Sequence, residues 1–271
     1  MIMKKITAKQ RGKIQQEIFT WYKTNQRSLP WRTTTDPYAI LVSEIMLQQT
    51  QVDRVIPYYE RFMRTFPNWE ALANADKRTL LQHWSGLGYN QRALRLQETA
   101  KQIVVEGGRI PKTEEELCKL PGIGPYTACA VLAFAENQEV PGVDTNIRRV
   151  LIHKLKLSEA IGKKELATIA QSLIPRGKSR IWHNALMDYG ALHATAQKTG
   201  IASLSKQSKF EGSERWVRGK MVKMLLNQES LSLRELKKTM KHARLKQIIQ
   251  KMEKEQLIVK KEGWITLKEE R

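Results

Sequence analysis

Before residue 256 the apolar side chains recur at helical spacing, and the alternation of beta-branched residues that marks a strand is almost absent. Such a chain has to build its interior from helices packed on helices, because a half-buried strand needs an apolar period of two. Residues 1–210 are therefore expected to be all-α. Residues 7–24 place Ile14, Ile18 and Trp21 on one side of an opening helix. Pro30 ends that segment in the loop Arg27-Ser28-Leu29-Pro30-Trp31-Arg32, which either lines a pocket or serves as a packed connector. Further helices are expected at 53–65, 68–73, 77–84, 91–106, 128–135, after Asp144, and at 164–174 and 180–196.

Asp36-Pro37 supplies an N-cap and a first-turn proline for a helix expected over 37–50. From Ala39 to Leu47 only Ser43 and Glu44 are not apolar, so this helix is buried nearly all round. A carboxylate there must be paired, neutral or at a cleft. Burial raises a carboxyl pKa, the condition for a general acid near neutral pH. Gln48 and Gln51 would continue a polar stripe from Glu44 along the same face. The alternative is that Glu44 is the one exposed position of this helix.

The stretch 120–150 holds a second unusual arrangement. Gly122 and Gly124 bracket Ile123 in a tight turn before a helix whose first amides have no internal partner, a ready site for a phosphate. Asp144 follows a short helix later. It is either a carboxylate set beside a phosphate grip or a solvated residue on a plain helix corner. Tyr89, at the tip of Gly86-Leu87-Gly88-Tyr89, is either a core aromatic or a wedge for a base stack.

The chain of 271 residues has a formal net charge of +20, from 47 Lys and Arg against 27 Asp and Glu. A surface of that sign favours polyanions, nucleic acid ahead of anionic lipid. No apolar run approaches a membrane span and the first residues lack a signal-peptide core, so a cytoplasmic protein is expected. Its two cysteines, Cys118 and Cys129, have no metal-site spacing and are expected to be reduced core residues.

The character of the chain changes after Lys206–Ser213. A helix at 214–226, a second capped by Ser232 with Glu235, a third at 242–256 and a hairpin formed by 257–260 and 264–267 follow winged-helix order. The third helix suits a major groove and the hairpin a wing, although such modules also bind proteins.

Six motifs in order carry a resemblance: LPWR (29–32), SEIMLQQTQV (43–52), GLGY (86–89), LPGIGPYTA (120–128), VDTNIRRV (143–150) and ALMDYGA (185–191). Together they resemble the helix-hairpin-helix DNA glycosylases of the endonuclease III superfamily, and within it the adenine-specific mismatch (MutY-like) branch. The resemblance covers about residues 18–195. It implies a six-helix barrel at about 26–135, a second helical subdomain from 1–25 plus 136–210, a cleft between them for an extruded base, and a separate winged-helix-like domain at 211–271.

By position, Glu44 matches the family's adenine-protonating glutamate, Asp144 its catalytic aspartate and Asn146 an active-site asparagine. Tyr126 stands where lyase-active relatives carry a Schiff-base lysine, which implies a monofunctional enzyme. Arg27, Leu29 and Trp31 match the adenine-pocket loop. Gln48 and Tyr89 match residues that wedge into the duplex, with Gln49 beside them among the DNA contacts. Gly122 and Gly124 match the hairpin that holds a backbone phosphate, often with a monovalent cation. The implied partner is double-stranded DNA in which adenine faces guanine or 8-oxoguanine, and the implied oligomeric state is a monomer. Relatives that act on mismatched thymine or uracil share some of these elements, and a non-catalytic DNA-binding scaffold is a third reading.

Two departures stand out. The family's four iron–sulfur cysteines align with about Ala194, Ile201, Leu204 and Phe210, so the [4Fe–4S] cluster is expected to be absent and its space filled by side chains. Residues 211–271 are also too short for the Nudix-like domain that commonly reads 8-oxoguanine.

Overall fold

The computed structural model describes residues 6–203 and 209–268. The first helices are α1 (Ala8–Asn25), α2 (Pro37–Leu47), α3 (Val52–Thr65), α4 (Trp69–Ala73), α5 (Lys77–Trp84) and α6 (Gln91–Val105). Next come α7 (Glu114–Leu117), α8 (Pro125–Ala135), α9 (Thr145–Leu155), α10 (Lys163–Leu173), α11 (Ser179–Asp188) and α12 (Ala196–Thr199). The remainder is α13 (Glu214–Asn227), β1 (Ser230–Ser232), α14 (Leu233–Thr239), α15 (Leu245–Lys254), β2 (Ile258–Lys261) and β3 (Trp264–Leu267). Among the described residues, 1–210 hold no strand, as the patterning predicts, whereas β1 lies ahead of the expected hairpin and is not among the expected elements.

Local chemistry sets most helix starts. Thr7 and Gln10 close a capping box on α1, and Asn68, Asp76 and Ser213 each accept a bond from an amide in the first turn that follows. Two ends differ from expectation. α2 stops at Leu47 because Gln49 adopts φ 58°, a left-handed conformation that cannot continue a helix, so the expected polar stripe does not run on along α2. The segment expected as one helix over 180–196 breaks into α11, a π-helical turn at Tyr189–His193, and α12.

The chain forms two compact units, Met1–Glu44 with Ile110–Lys206 and Ile45–Arg109 with Gln207–Arg271. The first unit is helical, with a core in which Ile14, Ile18 and Tyr22 of α1 meet Val150, Leu151, Leu173 and Trp182. In the second, the C-terminal segment forms a winged-helix arrangement with strand order β1-β3-β2, all antiparallel, pairing Leu231 with Ile265 and Val259 with Thr266. The sequence boundary near residue 210 marks a change of element type, but packing does not stop there. Leu81 of α5 belongs to the same core as Val217, Met221 and Leu225 of α13, and Leu94 of α6 packs against it. Among the described residues no helix is long and apolar enough to cross a membrane.

Candidate active site

Glu44 is 7% exposed on a helix whose neighbours Val42, Ser43, Ile45 and Met46 are all buried, which removes the alternative of a solvated position. Burial pushes its carboxyl up to about 7. The Tyr126 hydroxyl, which donates to it, and the Arg32 charge pull the other way, while the Asp144 carboxylate adds to the rise. Tyr126 stands in the first turn of α8, and burial holds its own hydroxyl well above the ordinary phenol range. It is a permanent donor here. A carboxyl that accepts one bond from Tyr126 keeps its second oxygen available to carry a proton.

Asp144 is the N-cap of α9. Its Oδ1 accepts the Ile147 amide at 2.6 Å and its Oδ2 accepts Asn146 Nδ2 at 3.1 Å. Burial raises its pKa, and the bonds from Ile147 and Asn146 restrain that rise. The α9 N-terminus favours the anion as well. Asn146 is fixed from behind, since its Oδ1 accepts from Arg149 Nη1 at 3.2 Å, and the same nitrogen donates to the Gly190 carbonyl at 3.2 Å. Gly190 explains part of the 185–191 motif. A Cβ there would lie 2.8 Å from the Asn146 carbonyl oxygen, so only glycine lets the π-helical turn close on the start of α9.

Glu44, Tyr126, Asp144 and Asn146 thus come together within the first unit. So does a group that sequence reasoning missed. Asp188, fully buried, accepts the Arg27 amide at 2.9 Å and Arg27 Nε at 2.6 Å, and takes a two-pronged contact from Arg32 at 2.7 and 2.8 Å. Arg27 is therefore engaged with Asp188, and Leu29 and Trp31 are buried at 6% and 7% exposure. The signal was a lone acid in the apolar run 185–191 and two arginines in a loop lacking acids.

The remaining expected site residues divide between the units. Gly122, in the first, has φ 80° and needs to be glycine for the turn. Gly124 has an ordinary φ of −102° and caps α8; a Cβ there would meet nothing within 4 Å, so it keeps open the approach to the amides of α8. In the second unit, Gln49 is exposed and its Oε1 accepts the Tyr89 hydroxyl at 2.7 Å. Tyr89 is half-buried and left-handed at φ 50°, and the Gln48 carbonyl accepts from Arg92 at 2.6 Å. Tyr89 is thus no core aromatic.

At the positions aligned with cluster cysteines, Ala194 and Ile201 are buried and Phe210 is 58% exposed, while Leu204 lies outside the described residues. None of the four side chains offers a metal donor, so the chain does not fit a [4Fe–4S] cluster there. Phe210, being exposed, fills no interior space. Cys129 is buried, with its thiol pushed up to about 12 by burial and by Glu114, whereas Cys118 is only half-buried and not a core residue.

Residues 42–176 match the signature of the family described as HhH-GPD superfamily base excision DNA repair protein. The adenine DNA glycosylase of Mycolicibacterium smegmatis is 37% identical over 232 residues, which cover 77% of this chain and 79% of that protein. The adenine DNA glycosylase of Mus musculus is 37% identical over 218 residues, which cover 75% of this chain and 42% of that protein. The chain thus spans under half the length of the mouse relative. Among solved structures, a thermostable thymine-DNA glycosylase is similar with a TM-score of 0.63 and 32% identity, over 71% of this chain and 94% of that one.

Proposed function

We propose that this chain, which belongs to the HhH-GPD superfamily of base excision DNA repair proteins, hydrolyses the N-glycosidic bond of adenine mispaired with guanine or 8-oxoguanine in double-stranded DNA. The observation that carries the chemistry is Glu44, a buried carboxyl with its pKa pushed up to about 7 and with Tyr126 and Asp144 at its side. Adenine leaves poorly as an anion, and a proton from Glu44 to N7 makes it a neutral leaving group. The departing base leaves an oxocarbenium-like sugar, which the Asp144 carboxylate stabilises electrostatically or traps at the anomeric carbon. Water completes the hydrolysis, with Glu44, now ionised, accepting its proton. Two neighbouring carboxyls in unlike surroundings, Glu44 against a phenol and Asp144 bonded at the start of a helix, suit this division of roles.

Tyr126 offers no amine for a Schiff base, so the product is an abasic site with an intact strand. Extruding the base costs a few kcal/mol, which the wedge of Gln48 and Tyr89 offsets together with contacts from the Arg27–Trp31 loop. The hairpin at Gly122 and Gly124 holds a backbone phosphate, with a monovalent cation where the turn carbonyls allow it. In this reading residues 1–210 carry the chemistry, residues 211–271 form an appended DNA-binding module, and the protein works as a cytoplasmic monomer without an iron–sulfur cluster. A band near 400 nm in the pure protein would overturn that last point.

A second reading, release of thymine or uracil opposite guanine, is favoured by the likeness to the thymine-DNA glycosylase structure. One experiment separates the two. The protein is incubated with duplexes that hold A:8-oxoG, A:G, T:G or U:G, and abasic sites are then opened with alkali. Strand breaks at adenine are expected; breaks only at thymine or uracil would move the assignment, and none at all would remove the enzyme reading.

A further inference from the structure

Tyr89 holds a conformation that its own backbone disfavours. The left-handed region brings the Cβ of a tyrosine too close to the following carbonyl oxygen, and Gln49, its partner, shares that conformation at φ 58°. Something must hold the pair. Arg92 does so from beneath: its Nη1 donates to the carbonyls of Ile45, Met46 and Gln48, and its Nη2 to those of Leu87 and Gly88, which ties the end of α2 to the turn before Tyr89. The second holder comes from the C-terminal module. Arg215 Nη1 donates to the Tyr89 hydroxyl at 2.6 Å, and that hydroxyl in turn donates to Gln49 Oε1. The Arg215 and Arg92 guanidinium carbons each lie 5.4 Å from the centroid of the Tyr89 ring.

Arg215 is poorly suited to its own helix. It occupies the first turn of α13, where a cation opposes the helix dipole. The helix is fastened to the elements that flank the Tyr89 turn. Arg78 of α5 donates to the Leu225 and Leu226 carbonyls at 2.9 and 3.3 Å, and Gln91 of α6 to the Glu255 carbonyl at 3.1 Å. Arg218, one turn after Arg215, pairs with Glu255. The reach of Arg215 is therefore set by the shared core around Leu81.

We propose that Arg215 is a positioning residue for base extrusion, holding the Tyr89 ring and Gln49 in the conformation that enters the duplex, so that the C-terminal module is part of the extrusion device. The proposal rests on the glycosylase reading for its substrate, a duplex that contains a mismatched purine. Its test reads extrusion directly. A duplex with 2-aminopurine opposite guanine brightens when the base leaves the stack, and binding is followed separately by anisotropy. Arg215→Ala should cut the brightening by about 10-fold at saturating protein, the loss expected for one charge-assisted hydrogen bond. Affinity should fall much less. Tyr89→Phe keeps the ring and removes the hydroxyl that Arg215 contacts, so it should show a similar loss, and the double variant should lose no more than either single one. Independent, additive losses would overturn the proposal, as would wild-type brightening in Arg215→Ala. If the wild type released no adenine, the glycosylase reading would fall, while the fluorescence comparison would still decide the role of Arg215.

Discussion

Glu44 and Asp188 are both carboxylates that the fold removes from water, at 7% and 0% exposure, and their surroundings treat them in opposite ways. Around Asp188 the largest influence is burial, which raises the pKa. Arg32 and Arg27 outweigh it with hydrogen bonds and charge, and the carboxyl ends below its ordinary value. Around Glu44 burial is again the largest influence, but the restraint comes from one phenol and one more distant cation, and a neighbouring carboxylate works with burial. The first environment uses its acid to tie the Arg27–Arg32 loop to α11. The second leaves its acid poised between protonation states. Burial alone therefore does not decide how a buried acid titrates; the strength of the counter-charge beside it does.

The largest effect that would sharpen this contrast is on activity. Glu44→Gln should lower adenine release by about 1000-fold, within the range for a general acid, with duplex binding near normal. Loss of folding or binding instead would make Glu44 a structural residue like Asp188. Asp188→Asn should do the converse. It leaves two arginines without their counter-charge and should cost about 3–5 kcal/mol of stability by denaturant unfolding. A variant as stable as the wild type would break the comparison.

The two acids should also give stability opposite slopes with pH. The folded pKa of Glu44 lies above its usual 4.5, so the native state holds the proton longer than the unfolded chain does. Its contribution is full below pH 4.5 and is lost as pH rises toward 7, a change of about 3 kcal/mol. The folded pKa of Asp188 lies below its usual 3.8, so its contribution is present above that pH and is lost as pH falls further. Thermal melts of wild type and Glu44→Gln at pH 5 and pH 8 check the first sign: the variant should gain on the wild type at pH 8. The smallest effect expected is that of Tyr126→Phe. The Tyr126 hydrogen bond lowers the Glu44 pKa, so its loss should move the alkaline limb of activity to higher pH.

Much of this was legible locally. Thr7, Asn68, Asp76 and Ser213 announce helix starts because a cap acts within a few residues of itself. Glu44 stands out because one carboxyl interrupts an apolar helix, and the change of pattern after residue 206 marks the winged-helix module. What escaped was decided by distant partners. Asp188 meets arginines 156 and 161 residues away, and nothing in its immediate sequence names them. β1 is three residues long and exists because β3 pairs with it, so no period could show it. The early stop of α2 follows from the left-handed Gln49, whose side chain meets Tyr89 forty residues on.

The measurement that tests the central claim most directly is the single-turnover rate of adenine release from an A:G duplex as a function of pH. With Glu44 as the acid, the rate should fall above an apparent pKa near 7. A rate that stays level or climbs from pH 6 to about pH 9 would show that Glu44 does not deliver the proton, since a buried carboxyl of this pKa has lost it by then.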